Sequence, residues 1–259
     1  MNGTQKNDML IKGDIIEELS KMESESVDCI VTSPPYWKGF AYEAYFNSYA
    51  QYLRWSTKWM RECKRVLKHS GTFYLNVIND SEITVRAFDL MNIATEELMY
   101  KLHDTIIWYR YNQQPANTTR QLTNQCEYVF MLRHTSDGVN LNKTLAYELN
   151  PHIFKTKNVG NVWEIPFNSG KKSATSGFGR KETKSKYGHS GFPLELPETC
   201  IALSTNEGDV VMDPFMGTGQ TGIICKKLDR EFIGIELDGN AYDISKDRIE
   251  NYVIQRVLF

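Results

Sequence analysis

Short apolar runs alternate with longer amphipathic ones along most of the chain. Residues 10–12, 28–31, 72–77, 105–110, 128–132, 209–212 and 232–236 read as seven strands, each bounded by polar or turn-forming residues. The clearest helical pattern covers 46–67, with Phe46, Tyr49, Leu53, Met60, Cys63 and Leu67 recurring on one face and Gly71 beyond as a stop. Further helical patterns cover 15–22, 85–98, 219–228 and 241–253. Strands alternating with helices predict an α/β fold, a mostly parallel sheet covered on both faces. The runs 105–110 and 128–132 have no helix between them and are candidates for an antiparallel pair. The alternation breaks at 136–190, which is polar and rich in Gly, Ser and Lys. That stretch is expected to be an irregular insertion within a single domain spanning 1–259.

Composition changes this picture in one place. The chain has 259 residues, 41% of them hydrophobic, and a net charge of −2, so no global field points to a polyanionic partner. Between 151 and 190, however, eight Lys/Arg (155, 157, 171, 172, 180, 181, 184 and 186) stand against Glu164 and Glu182, leaving the rest of the chain at −8. A basic segment on an acidic body suits a local polyanion contact, although charge alone suits a solvated loop equally well. The five cysteines are scattered without a C-x-x-C, and the five histidines show no ligand spacing. A reducing compartment and no structural metal are expected. With no apolar signal core at the start and no membrane-length run, a soluble, cytoplasmic protein is expected.

Two segments carry candidate chemistry. Asp209–Gly222 reads as a strand, then Asp213-Pro214-Phe215, then a turn containing Gly217, Thr218, Gly219 and Thr221 that opens a helix. A glycine turn between strand and helix lets the backbone approach a ligand and aims free N–H groups at it. Glu236, at the end of the next strand, is placed to accept both hydroxyls of a ribose. The glycine spacing also satisfies the dinucleotide fingerprint, which keeps a nicotinamide oxidoreductase in view. Only 23 residues follow Glu236, too few for a second mononucleotide half downstream. The Asp213 carboxylate would repel a pyrophosphate and welcome an ammonium.

The other segment is Ser33-Pro34-Pro35-Tyr36-Trp37, directly after the strand 28–31. Consecutive prolines fix the backbone and remove N–H groups, leaving Ser33 and the Pro34 carbonyl as rigid acceptors. Tyr36 and Trp37 offer aromatic faces on which an unpaired base could stack.

Together these segments resemble the amino-group DNA methyltransferases, in particular the permuted (beta) group in which the catalytic half precedes the cofactor half. The catalytic signature matches Ser33 to Tyr36, the cofactor signature Asp213 to Gly219, and the acidic ribose contact Glu236. The segment holding Phe192 and Pro193 resembles the helix that packs over the methionine end of the cofactor. Asp14 resembles the aspartate that contacts the adenine amino group. Gln220 departs from the threonine common in relatives, and Thr221 is a candidate to supply that hydroxyl. The resemblance implies a circularly permuted S-adenosylmethionine-dependent methyltransferase fold, with a seven-stranded, mostly parallel sheet. Strand 10–12 would then lie beside 232–236.

It also implies S-adenosyl-L-methionine as cofactor and double-stranded DNA as partner, and it leaves open a cognate restriction endonuclease and a homodimer. Direct methyl transfer to an exocyclic amino group of a flipped base follows. C5-cytosine chemistry needs a thiolate nucleophile, and no cysteine is suitably placed for that role. Serine at position 33 favours N4 of cytosine; N6 of adenine is the alternative, and an RNA or protein amino-methyltransferase or an inactive DNA-binding module are further rivals. Lys171, Lys172, Arg180, Lys181 and Lys184 are the candidate DNA contacts, within 136–190 as the target-recognition region.

Overall fold

The apolar runs become strands β1 (Met9–Lys12), β2 (Val27–Thr32), β3 (Leu67–Val77), β4 (Lys101–Tyr109), β5 (Cys126–Arg133), β6 (Val162–Glu164), β7 (Val210–Asp213) and β8 (Glu231–Glu236). The computed structural model describes residues 8–37, 46–79, 83–113, 122–135, 140–166 and 191–252. The helices are α1 (Ile15–Ser20), α2 (Tyr49–Val66), α3 (Arg86–Asn92), α4 (Lys143–Leu149), α5 (Glu195–Ser204), α6 (Gln220–Lys227) and α7 (Gly239–Glu250), with a wider π turn over Ile93–Glu97 after α3. Local chemistry starts several of them. Asp14 accepts from Ile16 and Glu17 at the head of α1, Ser48 from Gln51 at α2, and Asp238 from Ala241 at α7. Each such cap contributes about 1 kcal/mol. Lys64 and Arg65 close α2, where positive charge suits the helix C-terminus. The Arg65 guanidinium also donates to the Leu19 and Met22 carbonyls, fastening α2 to the end of α1.

The strands form one sheet in the order β1-β8-β7-β2-β3-β5-β4-β6. Only β5 runs against the rest; it pairs antiparallel with β3 and, as the sequence suggested, with β4. Successive residues of β2 point to opposite faces. Cys29 and Val31 pack with Leu196, Ile201, Ile223 and Ile249 from α5, α6 and α7, while Ile30 packs with Leu19, Trp59, Met60 and Leu90 from α1, α2 and α3. Helices therefore cover both faces, as the strand–helix alternation requires. Among the described residues no helix is long and apolar enough to cross a membrane.

Among the described residues the sheet has eight strands where the sequence pattern marks seven. The extra strand, β6, and helix α4 both lie inside 136–190, so this stretch is not irregular throughout. The Asn142 N–H donates to the Leu203 carbonyl at 2.9 Å, tying the start of α4 to the end of α5. β6 extends the sheet along β4. Gly71 is a second correction: β3 begins at Leu67, directly after α2, and Gly71 lies inside the strand rather than stopping the helix. A Cβ there would come within 2.9 Å of the Asp28 carbonyl, so glycine permits the close approach of β2.

Two features of this topology place the site. β1 pairs with β8 in parallel, Lys12 opposite Glu236, so segments far apart in sequence end side by side, as expected. From the adjacent strands β7 and β2, the crossovers run outward in opposite directions, through α6 to β8 and through α2 to β3. Such a reversal opens a crevice at the C-terminal strand ends, where open α/β sheets bind ligands.

Candidate active site

On one side of the crevice, β2 delivers Ser33 and the two prolines; Pro34 is buried while Ser33, Pro35 and Tyr36 are half-buried. The Ser33 hydroxyl is hydrogen-bonded to the Tyr36 phenol. That phenol also lies 3.4 Å from the Asn76 carbonyl and 3.5 Å from its side-chain Oδ1, at the end of β3. The Arg86 guanidinium stands 5.9 Å from the centre of the Tyr36 ring. Burial, with the Glu127 charge adding to it, pushes the Tyr36 phenol well above its ordinary pKa, so it remains protonated at neutral pH. Trp37 goes elsewhere. Its backbone takes a left-handed conformation, φ 52°, and its ring packs 5.7 Å from Tyr49 with the indole N–H toward the Phe46 carbonyl. Trp37 is half-buried, with part of its ring packed against Tyr49 of α2.

On the other side, β7 ends in Asp213, only 2% exposed. Oδ1 accepts from Thr32 at 2.7 Å and from the Phe215 N–H at 3.1 Å, and Oδ2 accepts from Thr221 at 2.7 Å. Asp213 thus ties β2 to α6, and its oxygens are turned toward these partners. Burial raises its pKa to about 6 against the hydrogen bonds, with Glu236 adding a smaller push. Pro214 is buried, and the Phe215 ring leaves the turn to pack 5.6 Å from Trp55 and 5.1 Å from Trp59 of α2.

Gly217 (φ 54°) and Gly219 (φ 85°) make the left-handed turns that need glycine. Among the described residues no atom beyond its chain neighbours comes closer than 3.9 Å to a Cβ built on Gly217, so none of them fills its outer side. Glu236 accepts from the Gly217 N–H and from the Asp238 N–H, both at 2.8 Å. These two donors orient its carboxylate beside the glycine turn. Asp14 sits next to it, because the Gly13 N–H donates to the Glu236 carbonyl at 3.0 Å. Thr218 donates to the Gln220 side chain, which lies against Gly191 just before the buried Phe192 and Pro193. Gln220, the departure from the family pattern, therefore bridges these two segments, while Thr221 directs its hydroxyl at Asp213.

The structure brings Ser33, Tyr36, Asp213, Gly217 and Glu236 to one edge of the sheet, with Asp14 beside Glu236. Lys171, Lys172, Arg180, Lys181 and Lys184 lie outside the described residues. Several groups at this edge escaped the sequence reading. Thr32 and Asn76 carry no motif. Arg110 and Glu127 form an ion pair at 3.1 Å, with side chains only 6% and 8% exposed. A glutamate inside the apolar run of β5 was the available signal for it, since a buried charge needs a partner.

A family model described as DNA methylase, of the N6/N4 type, matches residues 27–247. The chain belongs to the DNA methylase family. Type II methyltransferase M.Cfr9I of Citrobacter freundii is 30% identical over 280 residues, covering 93% of this chain and 87% of the relative. M.HinfI of Haemophilus influenzae is 29% identical over 93% of this chain and 67% of the relative. Among solved structures, the cytosine-N4-specific PvuII DNA methyltransferase shares the fold with a TM-score of 0.76 at 20% identity, covering 98% of this chain and 89% of that one. The M1.HpyAVI–SAM complex gives 0.63 at 22% identity, covering 95% and 100%.

The family's methyl donor is S-adenosylmethionine. The residues present in this methylase suit it. The open left-handed turn at Gly217 leaves room for backbone approach, and Glu236 is held at its rim by two N–H donors. The cysteines do not suggest another chemistry: burial raises the thiol of Cys29 to about 12 and pushes those of Cys63, Cys200 and Cys225 well up. None of these four is an activated thiolate.

Proposed function

We propose that this chain methylates N4 of cytosine in double-stranded DNA as the modification enzyme of a restriction–modification system, and that it belongs to the permuted (beta) group. One observation carries the reading. Ser33-Pro34-Pro35-Tyr36 and the Gly217/Glu236 turn open from neighbouring strand ends at the switch point, tied together by the 2.7 Å hydrogen bond from Thr32 to Asp213. An acceptor for the target amine and a cradle for the methyl donor thus share one crevice. The Type II relatives support the restriction–modification context, and the meeting of β1 with β8 is what a permuted order would produce.

S-adenosylmethionine supplies an electrophilic methyl group on a sulfonium. Glu236 accepts the ribose hydroxyls, Asp14 lies beside it at the adenine end, and Phe192, Pro193 and the Gly217–Gly219 backbone enclose the remainder. Asp213, turned inward, contributes negative potential rather than a direct contact, which favours a cationic ligand.

The target amine is a poor nucleophile because its lone pair is shared with the ring. Ser33 Oγ and the Pro34 carbonyl accept its two N–H groups, favour the pyramidal geometry and aim the lone pair. Tyr36 provides the surface against the flipped base. Ser33, a neutral hydroxyl, stands where adenine enzymes of the permuted group more often carry aspartate, and this supports cytosine.

The region 136–190 recognises the target sequence. Within it, 140–166 packs on the body and the basic part follows. Replacing Lys171, Lys172, Lys181 and Lys184 with Ala lowers the slope of log K against log salt by roughly one for each phosphate no longer neutralised. An unchanged slope moves the DNA contact elsewhere. For the reaction itself, DNA is incubated with protein and S-adenosylmethionine, digested to nucleosides and weighed. N4-methylcytosine is expected. N6-methyladenine alone would overturn the cytosine assignment, and no methylated base would overturn the whole reading.

A further inference from the structure

Asn76 lies at the end of β3, opposite Val129 of β5, and is 2% exposed. Its side-chain Nδ2 donates to the Tyr128 carbonyl at 3.3 Å. A carbonyl can only accept, so the amide nitrogen must face Tyr128, and Oδ1 is thereby turned toward Tyr36. Tyr36 consequently meets two acceptors from one residue, the Asn76 carbonyl at 3.4 Å and Oδ1 at 3.5 Å. Neither can donate a proton to the phenol.

The Ser33–Tyr36 contact joins two hydroxyls, either of which could donate. Tyr36 has a single proton, and its high pKa keeps that proton in place. When that proton is directed at the two Asn76 acceptors, the hydrogen bond between the hydroxyls is supplied by Ser33. Ser33 Oγ then has its own proton engaged on Tyr36 and its lone pairs turned to the crevice. We propose that Asn76 is a positioning residue that sets the direction of the Ser33 hydroxyl through Tyr36, so that Ser33 meets the target amine as an acceptor. This rests on the reading that Ser33 accepts an amine N–H. In the opposite orientation Ser33 would present a proton to the amine lone pair and block the attack.

The test is a double-mutant cycle on methyl transfer, whichever base is methylated. Asn76→Leu removes Oδ1 and leaves the main-chain acceptor. It is expected to lower kcat about fivefold, a partial loss of one hydrogen bond's contribution, with KM for DNA unchanged. In a Tyr36→Phe background, which has no phenol proton to direct, the same substitution should change kcat by less than about twofold. An equal loss in both backgrounds would make Asn76 merely structural and overturn the proposal, and so would no loss in either. Neutron diffraction on deuterated wild-type crystals reads the same point without a variant: deuterium on Tyr36 should point to Asn76 and deuterium on Ser33 to Tyr36. A Tyr36 deuteron pointing to Ser33 would overturn it. Wild-type protein that methylates no base would instead count against the proposed function, and the neutron result would still decide the hydroxyl direction.

Discussion

At the end of β7, Asp213 receives three hydrogen bonds of 2.7–3.1 Å in a setting only 2% exposed. One strand over, at the end of β2, the Tyr36 phenol reaches Asn76 only at 3.4 and 3.5 Å, and Ser33 is half-buried. Around Asp213 the polar groups are satisfied from within the fold. At the end of β2 the Tyr36 phenol is hydrogen-bonded to Ser33 but reaches Asn76 only at longer range, so on the proposed reading these groups can exchange partners when an amine arrives. In the proposed reaction, shape is then fixed where the methyl donor binds, and hydrogen-bonding capacity is kept in reserve where the bond changes.

The comparison breaks most visibly at Ser33. On the proposed reading, Ser33→Ala removes the acceptor for the target amine together with the hydrogen bond to Tyr36, so kcat should fall about a hundredfold or more. The melting temperature should hold within a degree or two. A large loss of stability with little loss of kcat would show that the catalytic side is as structural as its neighbour.

Asp213 tests the other side through pH. Its folded pKa, about 6, lies above the ordinary 3.8. Between those values the folded protein binds more protons than the unfolded one, so stability falls as pH rises from about 4 to about 6 and is level above. The full effect is roughly 3 kcal/mol. Asp213→Asn keeps Oδ1 for Thr32 and the Phe215 N–H, and should abolish this contribution in denaturant titrations across the window. An unaltered pH profile would mean that another group is responsible.

Glu236→Ala removes a charged acceptor and should weaken S-adenosylmethionine binding by about 1.5–3 kcal/mol, measured by calorimetry. NAD in place of S-adenosylmethionine as the ligand bound by the parent protein would reassign the glycine turn. The smallest effect is expected at Asp14, whose Oδ1 caps α1. Asp14→Ala should cost about 1 kcal/mol of stability, with any additional loss of cofactor affinity reporting the adenine contact.

Much of this was legible in the sequence because it is local. Strand runs flanked by turns located seven strands, and Ser33–Tyr36 and Gly217–Glu236 announced themselves as contiguous motifs. β6 was not legible: three residues, Val162-Trp163-Glu164, become a strand only because Ile107 and Trp108 of β4 offer a register to pair with. Gly71 misled because a glycine after a helical pattern usually marks a stop, whereas here it admits a neighbouring backbone. Thr32–Asp213, Asn76–Tyr36 and Arg110–Glu127 join residues across the sheet, 181 apart in the first case. Their partnership exists only once strand order is known. Trp37 shows the converse, since its place beside Tyr49 could not be read from its place beside Tyr36.

The pairing of β1 with β8 also sets a schedule. Met9 finds its sheet partner in Ile233. At the usual pace of about 5–20 residues per second, a ribosome needs roughly 10 to 45 s to reach that partner after making β1. Until then β1 lacks a partner on both sides, one of which β8 later covers, and bare edges invite pairing with other chains. Here the run is short, Met9-Leu10-Ile11-Lys12, and a lysine at its end discourages such pairing. Of the described strands, β1 waits longest for its partner, and its brevity makes the wait tolerable.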